Sequence, residues 1–221
     1  MDARSCYPAP GIDAQKKSLI AAERDRWDRV RFLVEQADVD PTEVVVVDAF
    51  GSNLAMTPRY ARAPRGERAV AALPRNTPPN TSTIASLTLD GMGPSLMTVG
   101  GVTTPMFEAY IEHILGPTLR PGQLVLLDTL SAHKSTRLRA LVAARDCRLW
   151  YLPSYSPDYA PIELAFAKVK EELRRAGART REALEKAVAQ ALEHISSEDA
   201  RAFFTHCGFH FRLDLAQWFC P

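Results

Sequence analysis

Val44-Val45-Val46-Val47-Asp48 is a run of four β-branched residues closed by an acid. Such side chains are stiff at χ1 and pack well on a pleated surface, and a run without polar alternation predicts a strand buried on both faces. A second run, Leu124-Val125-Leu126-Leu127, ends the same way, on Asp128. A strand hidden on both sides has no ordinary reason to finish on a carboxylate. One such aspartate is readily a cap for the following turn; two in one small domain ask for another account.

Working outward, Lys16 to about Ala37 reads as a helix, with Ile20, Trp27, Val30 and Val34 on one stripe, stopped by Asp40-Pro41. After Asp48, Gly51-Ser52-Asn53 makes a turn, and short segments flanking Arg59 to Arg68 suggest a hairpin. Thr81 to Leu89 alternates as a third strand, and Asp90-Gly91 turns it towards Ser95–Val99. Thr103-Thr104-Pro105 opens a helix to about Leu115. Residues 135–145 look helical, Arg148 to Leu152 is a short strand, and Pro153 to Asp158 is a loop. Pro161 stands where a first helical residue belongs, with Ile162, Ala165, Phe166, Val169 and Leu173 forming the buried stripe behind it. Leu184, Val188, Leu192 and Ile195 mark another helix, and Ser196 with Asp199 resembles a capping box for a last one. Strands alternating with helices give an α/β sheet flanked by helices. The expected divisions are a tail and linker helix over 1–40, a catalytic domain over 41–208 and a tail over 209–221.

Composition narrows the class. The 221 residues suit one compact domain, 46% are hydrophobic, and no run approaches the ~18 apolar residues of a membrane span. The N-terminus lacks a signal-like apolar stretch, and the scattered Cys6, Cys147, Cys207 and Cys220 form no Cys-x-x-Cys pair, so a cytoplasmic protein is expected. His206-Cys207-Gly208-Phe209-His210 could serve as half a zinc site, but no second half accompanies it. Net charge is only +1, yet Arg59, Arg62, Arg65, Arg68 and Arg75 face the single acid Glu67 over Thr57 to Arg75. Such a local excess neutralises phosphates as well as it makes a solvated face.

Glu163 supplies a third acid, in the first turn of its helix, where the helix dipole favours an ionised carboxylate. Three converging carboxylates repel one another unless a cation lies between them. Mg²⁺ or Mn²⁺ fits, with hard oxygen ligands and positions left for water and phosphate. Two such ions roughly 3.5–4 Å apart activate an attacking water or hydroxyl and stabilise a leaving oxygen.

The blocks VVVVDAFGSNLAMTPRYARAPRGERA, LVLLDTLSAHKS and LPSYSPDYAPIELAFAKVK resemble the three acidic motifs of DDE transposases, in the branch of mariner-type enzymes and their bacterial insertion-sequence relatives. The 34 residues between Asp128 and Glu163 match the spacing that branch favours, and YSPDYAPIE is the most specific element. The resemblance runs from about Lys16 to Gly208. It implies a ribonuclease-H-like fold with a mixed five-stranded sheet, Asp48, Asp128 and Glu163 as catalytic metal ligands, and metal-dependent DNA cleavage and strand transfer in transposition of an insertion sequence. Alternatives are a nuclease of the same fold without strand transfer, and a catalytically silent DNA-binding remnant. The family often has an acid where this chain has Ala49 and Asn where it has Thr129, so support of the ligands is expected from Thr129 and His133 instead. Phosphate contacts are expected from Arg59, Arg62, Arg65, Lys134, Lys168 and Lys170, with Tyr60 stacking on a base. Double-stranded DNA and a second copy of the chain are the expected partners. Relatives carry an N-terminal helix-turn-helix region, and this chain begins where the linker after it would be, so a separately encoded helix-turn-helix polypeptide is a further expected partner.

Overall fold

The computed structural model describes residues 21–129 and 135–210. The elements are α1 (Arg26–Ala37), β1 (Val44–Ser52), β2 (Thr81–Thr88), β3 (Gly91–Val99), α2 (Thr104–Ala109), β4 (Leu124–Leu127), α3 (Thr136–Ala143), β5 (Arg148–Tyr151), α4 (Pro161–Ala176), α5 (Arg181–Glu193) and α6 (Ser197–His206). The strands form one mixed sheet in the order β3-β2-β1-β4-β5. β1, β2 and β3 are antiparallel neighbours, whereas β1–β4 and β4–β5 are parallel.

Period-two alternation divides the core. Val44, Val46 and Phe50 of β1 and Leu124 and Leu126 of β4 pack on one side with α1, α4, α5 and α6. Val45, Val47, Val125 and Leu127 pack on the other, with Phe107, Tyr110 and Ile111 and with Leu138 and Val142 of α3. Both faces of β1 and β4 are therefore covered, which is why their sequences show no polar alternation. The helix expected from Thr103 to Leu115 begins at Thr104 but loosens into a π-helical turn over Tyr110–Leu115. There the buried Tyr110 hydroxyl donates to the Pro94 carbonyl at 2.7 Å, tying this turn to β3.

Two expectations are corrected. The basic stretch forms no hairpin: from Met56 to Asn80 the chain contains neither helix nor strand, and Tyr60 is 91% exposed. Pro58, Pro64, Pro74, Pro78 and Pro79 lack the N–H that a ladder needs, and no apolar alternation gives the segment a buried face. The stripe of α1 is also reversed. Trp27 is 80% and Val34 66% exposed, while Phe32 and Gln36 are buried. The helix starts at Arg26, with Asp25 as its N-cap; Ile20 lies outside the described residues. Phe209 is fully buried against Phe204 and Trp150.

The β2–β3 turn consists of Leu89-Asp90, and Gly91 opens β3 at φ +118° with its α-carbon facing the Ile195 carbonyl. A Cβ there would stand 2.9 Å from that backbone oxygen, in a conformation that L-residues rarely adopt. Gly91→Ala is therefore expected to cost about 2 kcal/mol in urea unfolding.

Candidate active site

β1 and β4 are parallel and in register from Val44–Leu124 to Val47–Leu127. Continuing that register by one residue puts Asp48 beside Asp128, on strands about 4.8 Å apart. Alternation gives both acids the face of Val46 and Leu126, which is the face that α4 covers. The chain leaves β1 towards β2 on one side, and β4 lies on the other, so their carboxyl ends border a switch point in strand order, where open α/β sheets form a crevice.

Glu163 reaches the same crevice from α4. Pro161 occupies the first helical turn, and Ile162 anchors the helix start with no exposure. The amide of Glu163 donates to the Ala160 carbonyl at 3.1 Å, and its carboxylate stands in the positive end of the helix dipole. A cleft of about 250 Å³ is lined by Asp48, Asp128, Thr129, Ser154, Tyr155, Ser156 and Glu163 over an apolar floor that includes Val46, Val47, Leu152 and Ile162. All three acids are half-buried. Asp48 Oδ1 accepts from the amide of Ala49 at 2.7 Å, which fixes its carboxylate at the strand end. The hydroxyls of Thr129 and Ser154 are hydrogen-bonded at 3.2 Å, so the residue after Asp128 is tied to the loop that leads to Glu163.

Among the described residues, no three Asp, Glu, His or Cys side chains converge tightly enough to grip one ion as they stand. The three acids line one cleft without forming such a group. The described polar donors of the lining are carboxylates and hydroxyls, with neither imidazole nor thiolate. That set suits a hard cation such as Mg²⁺ or Mn²⁺ better than zinc. The zinc half-site does not assemble among the described residues: Cys207 is buried and joins no group of three possible ligands.

The remaining predicted site residues are spread out. His133 and Lys134 lie outside the described residues. Lys168 is held by Asp199 at 2.6 Å, whose carboxyl also completes the α6 capping box. Lys170 places its ammonium 5.8 Å from the Phe50 ring centroid. Arg59, Tyr60, Arg62 and Arg65 lie together on the exposed connection after β1.

The sequence reading missed how the cleft wall is fastened. Asp158 accepts from Arg29 through both oxygens, at 3.1 and 2.7 Å, and from Arg24 at 2.6 Å. Arg29 also donates to Ser156 Oγ at 2.9 Å and lies 4.0 Å over the Tyr159 ring. Burial raises the Asp158 carboxyl, but the Arg29 hydrogen bond and the two guanidinium charges outweigh it and hold the group below the ordinary carboxylate value. A depressed folded-state value stabilises above the unfolded pKa of about 3.9 and is lost as pH falls through the folded value. Exchange protection of the loop amides is therefore expected to persist at pH 4 and to collapse only on further acidification. Loss of protection already at pH 6 would contradict this.

No curated protein is significantly similar to the chain in sequence. Among solved structures, it resembles the Mos1 transposase paired-end complex with left transposon end, at TM-score 0.72 and 14% identity, covering 90% of this chain and 64% of that one. The Mos1 mariner paired-end complex with Mg matches at TM-score 0.67 and 15% identity, over 90% and 65%. The catalytic domain of Mos1 mariner transposase matches at TM-score 0.57 and 13% identity, over 88% of this chain and 100% of that one. These likenesses identify the sheet and its flanking helices as a ribonuclease-H-like fold. The family model of the DDE superfamily endonucleases matches residues 43–185, from the start of β1 into α5 and across all three acids, and the chain belongs to that family.

Proposed function

We propose that the chain is the catalytic part of a DNA transposase of an insertion sequence, cutting and joining strands at the cleft between β1, β4 and α4. Membership of the endonuclease family supports the reaction class, and the likeness to a mariner transposase catalytic domain supports transposition within it. The observation that carries the reading is the side-by-side position of Asp48 and Asp128 at a strand-order switch, with Glu163 lining the same cleft.

Asp48, Asp128 and Glu163 would hold two Mg²⁺ or Mn²⁺ ions, as the all-oxygen lining suits. Mn and Mg each accompany a Mos1 paired-end complex. When bound, such ions polarise the scissile phosphate and lower the pKa of an attacking water or hydroxyl. The protein's own part is positioning. The Ala49 amide orients Asp48, the Thr129–Ser154 bond fixes the chain beside Asp128, and Pro161 with Ile162 seats the helix turn of Glu163. His133 is proposed to support the ligands beside Asp128. Arg59, Tyr60, Arg62, Arg65, Lys134 and Lys170 are proposed to hold DNA. Lys168, paired with Asp199 at 2.6 Å, is proposed to face DNA with them. The working partners are double-stranded element ends and target DNA, a second copy of the chain, and a helix-turn-helix polypeptide that reads the ends.

The test is a strand-transfer assay: a labelled duplex with a free 3′-hydroxyl, a supercoiled plasmid and Mn²⁺. The expected result is label covalently joined to the plasmid. Nicking of the plasmid without joining would make the chain a nuclease of the same fold. DNA binding with neither product would make it a silent remnant.

A further inference from the structure

The loop from Pro153 to Ala160 forms one wall of the cleft and runs into the first turn of α4, yet its own sequence gives it little to hold on to. Pro153 and Pro157 within it and Pro161 after it lack amide donors, and Ala160, the N-cap of α4, has only a methyl group and so no acceptor to close the helix end. Support comes instead from α1 and the residue pair just before it, all upstream of the residues 43–185 that define the family. Arg29 forks onto Asp158, touches Ser156 and covers Tyr159; Arg24 adds a second guanidinium to Asp158. One turn further on, Phe32 stacks on Trp150 of β5 with ring centroids 4.4 Å apart and on Tyr159 at 5.3 Å. Glu35 accepts from the Trp150 indole at 3.2 Å, and Gln36 donates to the Cys207 carbonyl at 3.0 Å.

We propose that Asp158 is a positioning residue: gripped by Arg24 and Arg29, it makes α1 a brace that sets the catalytic loop and, through it, Glu163. A lone exposed ion pair would not bear this role, since such pairs contribute little. Here a bidentate fork, a second guanidinium, a cation–π contact and an aromatic stack all fasten one short loop to one helix, so the geometry is fixed in several directions at once. The role rests on the reading that Glu163 is one of the metal-holding acids. It adds that a segment outside the family-defining region is needed for that acid to be well placed.

The experiment is hydrogen exchange on the whole chain at pH 7.5, paired with Mn²⁺ titration of cleavage. Asp158→Ala and Arg29→Met are each expected to speed exchange of the amides between Ser154 and Glu163 by about tenfold, leaving β1 and β4 unchanged. Both are expected to raise the half-saturating Mn²⁺ concentration by about tenfold without changing DNA affinity, as displaced support of a ligand does. Arg29→Lys, which keeps the charge and loses the fork, is expected to fall between these and wild type. Unchanged exchange over Ser154 to Glu163 in Asp158→Ala would overturn the brace. Equally accelerated exchange in β1 and β4 would overturn it too, by showing a merely global loss of stability. Should Asp158→Ala fail to fold, the isosteric Asp158→Asn is read by the same exchange. A wild type that takes up no Mn²⁺ and cleaves nothing would sink the proposed function, while exchange would still decide the brace.

Discussion

Asp128→Asn is expected to lower Mn²⁺-dependent DNA cleavage by about 10³-fold or more, because losing a proposed metal ligand forfeits several kcal/mol of transition-state stabilisation. Asp48→Asn and Glu163→Gln are expected to do the same. The amide keeps the shape of the side chain, so the cleft is preserved while one negative charge leaves it. In metal-free buffer each variant should melt within a few degrees of wild type, since the amide keeps the packing around the cleft. Activity falls while stability holds, which separates loss of chemistry from loss of fold. Because the acids act as a unit, the double variant Asp48→Asn/Asp128→Asn should be hardly worse than either single one.

Phe166→Ala is expected to do the reverse. Phe166 is 1% exposed, lies on the stripe of α4 that meets the sheet, and packs against Phe50 with ring centroids 4.6 Å apart. Truncation leaves a cavity between α4 and β1 and should cost about 3–5 kcal/mol. At roughly 2–4 °C per kcal/mol for a chain of this size, the melting temperature should fall by about 6–20 °C. Phe166 follows Glu163 by less than one turn on the same helix but faces the core. Cleavage per folded molecule, measured well below the new midpoint, should therefore suffer far less than in Glu163→Gln. A Phe166→Ala protein as stable as wild type would show that this layer of the core is wrongly described.

What the sequence disclosed follows from where the determining forces act. β1 and β4 were legible because both of their faces are covered, and continuous β-branched and aliphatic runs have few other homes. The stripe Ile162–Phe166–Val169–Leu173 and the Ser196–Asp199 capping box were legible because their partners are three or four residues away. Helix α1 was misread for the opposite reason. Its inward face carries Arg29, Phe32 and Gln36, and two of these are polar residues that donate to Asp158 and to the Cys207 carbonyl, more than a hundred residues further along. No periodicity in the helix itself marks Arg29 as an inward residue. Trp27, Val30 and Val34 meanwhile make an apolar arc that faces outward. Asp48 and Asp128 stood out as residues, since an acid closing a doubly buried strand is anomalous, and Glu163 stood out through the family resemblance; the register that sets Asp48 beside Asp128 was not legible, because it depends on a pairing across 80 residues of chain.

The most direct test of the central claim, that these acids together hold the divalent ions, is a titration of Mn²⁺ into the wild type and each acid variant, following the free-ion electron paramagnetic resonance signal. Uptake is expected in the wild type and at least tenfold weaker uptake in each of Asp48→Asn, Asp128→Asn and Glu163→Gln, about 1.4 kcal/mol or more per lost ligand. Equal Mn²⁺ affinity in wild type and Asp128→Asn would contradict it.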